Sequence, residues 1–154
     1  QAAAIAFFIG NTDFARKIIL DARTVRIACQ IEPDGRQPFE LGRTKSFGYS
    51  LFNLRALIDL AGIGQNLGVD LWHYATPDGR SISRALEFMA PYANPDKKWP
   101  YKQIYEPKRA DLGELLLRAV PEYPGTSLRG AFKYFPADKF AASRSRLLFK
   151  TQSN

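Results

Sequence analysis

Cysteine and histidine are nearly missing from these 154 residues: there is one of each, Cys29 and His73. A lone cysteine closes no intrachain disulfide and builds no cysteine-based metal site, and a lone histidine excludes a multi-histidine centre from this chain alone. No apolar run is long enough to cross a membrane. No stretch alternates with period two for long enough to demand a sheet. Acidic residues are in the minority, with Asp and Glu together 15 against 22 Lys and Arg, which leaves a formal charge of +7. That balance favours an acidic partner. Nucleic acid, an anionic membrane and an acidic polysaccharide all qualify, and charge does not separate them. What is present is enough apolar material, 45% of residues, for one domain with a core.

The periodicity is helical almost throughout. A short apolar helix over residues 2–9 stops at Gly10-Asn11. Thr12 or Asp13 can cap a second helix over residues 14–31, with Phe14, Ile18, Ala22, Val25 and Cys29 as its core stripe and Arg16, Lys17, Arg23 and Arg26 outside. Cys29 reads as a small core residue. Glu32-Pro33-Asp34-Gly35 is a turn, and residues 36–41 run extended past Pro38. Thr76-Pro77-Asp78-Gly79 is a second turn of similar sequence, too short a match to make a repeat. Ser81 caps a helix through about Ala90, and helices follow over 111–120, 126–134 and 138–149. Residues 91–107 form a loop rich in Pro, Lys and aromatics, including Trp99, Tyr101 and Tyr105. Residues 1–150 read as one helical domain and 151–154 as a polar tail.

The stretch that organises the rest is 37–60, QPFELGRTKSFGYSLFNLRALIDL. On a helical wheel Lys45, Gly48, Phe52, Arg55, Asp59 and Gly62 share the solvent side, and the helix ends near Gly62, Gly64 and Gly68. Phe47, Leu51, Leu54, Leu57, Ile58 and Leu60 face the core. Arg43, Ser46, Tyr49, Ser50 and Asn53 also turn away from solvent, so the first turns carry polar groups inward. Inward polar groups need hydrogen-bond partners. Either they form a network between helices, or a cleft opens at this end of the helix. Phe52 is the exception on the polar side.

Three runs carry a resemblance: residues 30–38 (Gln30-Ile31-Glu32-Pro33-Asp34-Gly35-Arg36-Gln37-Pro38), residues 40–46 (Glu40-Leu41-Gly42-Arg43-Thr44-Lys45-Ser46) and residues 49–54 (Tyr49-Ser50-Leu51-Phe52-Asn53-Leu54). Together with Asp70-Leu71-Trp72 and Ala141-Ala142-Ser143-Arg144-Ser145 they resemble the alginate lyase domain of bacterial alginate and oligoalginate lyases. The resemblance implies an all-α fold, part of an incomplete (α/α) toroid of antiparallel helix pairs with a central cleft. It implies cleavage of a uronate polymer by β-elimination: a base takes the C5 proton, the bond to O4 breaks, and an acid protonates the leaving oxygen. The tyrosine of the family's Arg-Thr-x-Ser-x-x-Tyr-Ser pattern matches Tyr49, the expected proton-transfer group. Arg43 matches the nearby arginine and would hold a uronate carboxylate through its two-pronged donor face. Glu40, Gln37, Ser46 and Asn53 are the expected cleft-wall residues.

The resemblance further implies an acidic polysaccharide or oligosaccharide as partner, alginate foremost, and a periplasmic or secreted location. Neither a cofactor or metal nor a nucleic acid or membrane is expected. The family's Asn-Asn-His-Gly motif has no counterpart in the chain; Gln1 and the alanines after it resemble the point just downstream of it, so the motif is expected upstream. His73, between Trp72 and Tyr74, reads as a packed structural histidine. Two further readings stay open beside the lyase: a non-catalytic acidic-polysaccharide-binding domain of the same fold, and a helical scaffold or nucleic-acid binder.

Overall fold

The computed structural model describes residues 1–124 and 127–136. The helix expected over 138–149, the polar tail and the Ala141–Ser145 match lie outside the described residues. Among those described, every regular element is helical, and the only extended pairing is two isolated bridges, Lys45 with Gln103 and Ala75 with Ser81.

Helix α1 (Ala2–Phe8) and α2 (Thr12–Ala22) form an antiparallel pair that packs on α4 (Ser46–Asn66). Asn11, not Thr12 or Asp13, caps α2, its side chain accepting from the Phe14 N–H at 3.2 Å. α2 continues as a π-helical stretch, Arg23–Ala28. The buried stripe here is Ala15, Ile19, Ala22, Ile27 and Ile31. The expected stripe was wrong at all but Ala22: Phe14, Val25 and Cys29 are exposed and Ile18 is half-buried. Two apolar stripes lie side by side in this sequence. The π stretch widens the turn, so Ala22 is followed on the core face by Ile27, five residues on, instead of by Val25.

The Glu32–Gly35 turn forms as read, closed by Gly35 N–H to Glu32 O at 2.9 Å. Residues after it are not extended: Pro38–Leu41 is one helical turn, α3, with proline at its first position, where its missing N–H costs nothing. α4 then runs 21 residues, about 31 Å. Its buried face is Phe47, Leu51, Leu54, Leu57, Ile58 and Ala61, with Ser46, Ser50 and Gly64. It passes Gly62 and stops only at Asn66. There Gly68 takes φ +67°, and the Val69 and Gly68 N–H groups bond the carbonyls of Gly64 and Gln65 in a Schellman closure. Glycine at 64 is what lets the chain fold back, because a Cβ there would sit 2.5 Å from Val69 O. α5 (Ile82–Met89), capped by Ser81, and α6 (Arg109–Ala119) complete the core around α4; single 3₁₀ turns extend each, and a 3₁₀ helix, Ser127–Tyr134, packs on both. One apolar core runs from Ala3 to Ala131.

Candidate active site

The first turn of α4 has no side-chain cap of its own. The aromatic loop supplies it: Phe47 N–H donates to Gln103 Oε1 at 3.2 Å and Ser46 N–H to Lys102 O at 3.2 Å. Ser46 is fully buried, donates its hydroxyl to Lys102 O at 2.7 Å and accepts from Trp99 Nε1 at 2.7 Å. Trp99 in turn packs edge-on against Phe47. Ser46 therefore belongs to a network that straps the loop to the helix start.

The opposite side of α4 floors an open groove of about 1400 Å³. Arg43, Glu40, Tyr49 and Asn53 line one end of it. Arg43 lies in the turn between α3 and α4, not on the helix, and its guanidinium stacks over the Tyr49 ring at 3.6 Å from the centroid. Such stacking occupies the guanidinium face and leaves the edge donors available. One of them, Nη1, stands 3.8 Å from Glu40 Oε2. Gln37 is buried below the groove and accepts from Asn53 Nδ2 at 3.0 Å, which fixes the Asn53 amide. So five of the six residues singled out in the sequence meet at this end, with Gln37 behind the wall, and Ser46 stands apart in the strap.

Arg55 and Asp59 do not face away from the site as the wheel implied; they line the same groove, which spreads along the whole exposed side of α4. Lys45 does face away, over the Tyr105 ring. Phe52, 73% exposed, is a groove residue too, which accounts for its place on the polar side. At the far end Arg118 bonds Asp59, and Gln65 Nε2 donates to Glu122 Oε2 at 2.9 Å. Sequence reading missed Arg118 and Glu122. They look like ordinary solvated positions late in α6 and just after it, and only the packing of that segment on α4 brings them to the groove.

His73 is a structural clasp. Nδ1 faces Asp70 Oδ2 at 2.9 Å and Nε2 faces Glu122 O at 3.0 Å, tying the loop after α4 to the turn after α6. Two acceptors suit the doubly protonated ring, so the hydrogen bond to Asp70 and then that to Glu122 raise the His73 pKa. Partial burial works to raise the Asp70 carboxyl, but the bonds from His73 outweigh it and hold it below its ordinary value. A histidine raised on folding adds stability that is complete below its unfolded pKa, about 6.5, and is lost as pH rises through the folded one. Wild type should therefore exceed His73→Gln in melting temperature at pH 6 by more than at pH 8.5. The side chain is 59% exposed, so the difference is small, and a gap that grows with pH would contradict the clasp.

The family model described as alginate lyase matches residues 1–99. The chain belongs to the alginate lyase family. A crystal structure of an alginate lyase from Bacteroides ovatus superposes with a TM-score of 0.81 at 39% identity, over 88% of this chain and 36% of that one. This chain thus spans little more than a third of that alginate lyase. No curated protein matches the sequence. Membership places the helices α1, α2 and α4–α6 in the family's toroid-type helical architecture.

Proposed function

We propose that this chain forms one wall of a polysaccharide lyase site that cleaves an acidic uronate polymer, alginate foremost, by β-elimination. The observation that carries the reading is the Arg43–Tyr49 stack at the mouth of an open groove, with Glu40 on one side and the Gln37-fixed Asn53 on the other. Elimination needs the uronate carboxylate neutralised while the C5 proton leaves and O4 departs with the glycosidic bond. Arg43 offers a carboxylate its fork of N–H donors, and stacking on Tyr49 pre-orients that fork. The Tyr49 hydroxyl, on the same ring, moves the proton. Asn53 donates to a sugar oxygen or the carboxylate from a fixed position, and Glu40 sets the tilt of Arg43. Among the described residues no helix is long and apolar enough to cross a membrane; a periplasmic or secreted setting is part of this proposal.

The test is formation of unsaturated uronate, read by ultraviolet absorbance, from alginate by the natural full-length polypeptide. Arg43→Ala should raise KM roughly 10–100-fold, the scale of losing a charge-assisted bidentate contact. Arg43→Lys should recover little of it, because lysine keeps the charge but neither the fork nor the planar stack. Binding of alginate without any elimination would favour the non-catalytic polysaccharide-binding reading instead, and full recovery by lysine would mean that charge alone is needed.

A further inference from the structure

The Trp99–Tyr101 loop does more than cap α4. Residues 97–109 carry Lys97, Lys98, Lys102, Lys108 and Arg109, against one carboxylate, Glu106. Glu106 stands 4.0 Å from Arg109, and among the described residues none of the four lysines, nor Lys45 beside them, pairs with a carboxylate. A charged loop is ordinarily just a solvated one. Here the loop is held down. Ile104 N–H donates to Thr44 O at 3.1 Å, Ser46 clamps Lys102 O, and Trp99 is locked between Ser46 and Phe47. Two lysines rest on rings, Lys45 over Tyr105 at 4.9 Å and Lys97 over Tyr92 at 4.8 Å. Tyr105 and Ile104 are themselves exposed. Along the chain the basic surface begins just past the groove: Arg43 lines the groove, and Thr44 and Lys45, the next two residues, are the segment to which the loop is bonded.

From this we propose that Lys45 and the loop 97–108 form a second contact surface for the acidic polysaccharide, one that binds the polymer where it leaves the groove. The proposal rests on the polyuronate reading above. A uronate polymer presents one carboxylate per sugar along an extended chain, which fits unpaired lysines spread over a fixed loop, and the apolar faces of its sugar rings fit Tyr105 and Ile104. A single-stranded nucleic acid would call for a run of stacking platforms, and here one exposed ring stands beside the lysines.

The variant is Lys45→Gln/Lys102→Gln/Lys108→Gln in the natural full-length polypeptide. Affinity for long alginate is read by retardation in polymer-containing gels at two salt concentrations, and affinity for a uronate trisaccharide by calorimetry. Binding of the polymer should weaken about 10-fold with a shallower salt dependence, as expected when counterion-releasing contacts are removed, while the trisaccharide binds as before. Unchanged polymer binding would overturn the proposal. So would equal loss of trisaccharide binding, which would put the lysines in the groove or in folding. Duplex DNA bound as tightly as alginate, and lost in the same variant, would overturn it as well by making the surface a general polyanion site. If wild type binds neither polymer nor trisaccharide, the polyuronate reading fails and this one with it; polymer and trisaccharide bound with no difference in the variant leaves that reading standing and removes only this one.

Discussion

Tyr49→Phe in the natural full-length polypeptide is expected to lower turnover on alginate by roughly 10²–10⁴-fold, the usual worth of a positioned acid or base. The substitution removes one hydroxyl and keeps the ring. The ring is what Arg43 stacks on, and a phenylalanine face holds a guanidinium as well, so the carboxylate-binding fork stays in place and KM should move little. Folding should also be nearly untouched. The Tyr49 hydroxyl has no hydrogen-bond partner among the described residues, so its loss takes away less than the ~1 kcal/mol of an ordinary bond. A core tyrosine tied to a neighbouring helix would behave the other way, with normal turnover and a lowered melting temperature. Measured together, rate and melting temperature separate the two, and ordinary turnover would take Tyr49 out of the mechanism.

The second large effect is on stability. Gly35→Ala should cost about 3 kcal/mol or more in chemical denaturation, whereas Gly79→Ala should cost about 1 kcal/mol. Both glycines occupy the same place in a Pro-Asp-Gly-Arg turn, with φ of +87° and +91°, so both lose the left-handed backbone that alanine resists. Their surroundings differ. A Cβ on Gly35 would run into the Arg84 carbonyl oxygen and stand 2.9 Å from Phe88 Cβ, while one on Gly79 meets nothing within 4 Å. The excess at Gly35 is thus the cost of pushing the turn off α5. Because this turn leads into Gln37, Glu40 and Arg43, that displacement would reach the groove as well. Equal losses at the two positions would mean that α5 yields freely, and the close packing of turn on helix would have no energetic weight.

The two turns also mark how far local sequence carries. Their shared letters are matched by shared bonds: Glu32 N–H to Arg36 O at 2.8 Å and Thr76 N–H to Arg80 O at 3.0 Å, with each Arg Nε on the Asp two residues before it. Yet Arg36 stays at the surface, while Arg80 reaches across to the carbonyls of Ala28 and Ile31 and to Glu32, fastening one turn to the other. The four shared letters, Pro-Asp-Gly-Arg, do not distinguish those fates. The same holds on α4. Its inward polar residues left open a hydrogen-bond network or a cleft, and the fold contains both, Ser46 in the strap and Tyr49 with Asn53 at the groove.

What the sequence by itself determined were the features made by residues a few positions apart: helices in nearly their observed places, turns at the Pro-Asp-Gly segments, the Ser81 cap, the apolar face of α4, and the runs between Gln30 and Leu54 that carry most of the family likeness. Backbone sterics and short-range hydrogen bonds settle these before distant segments meet. Tertiary structure alone decided which of two neighbouring apolar stripes on α2 went inward, since a π stretch and small Ala15 and Ala22 against α4 favour Ile19 and Ile27 over Phe14 and Val25. It also decided that Arg118 and Glu122 share a groove with Arg43 and Tyr49. Burial is a property of whatever arrives on the other side of a helix, and that partner lies tens of residues away in the chain.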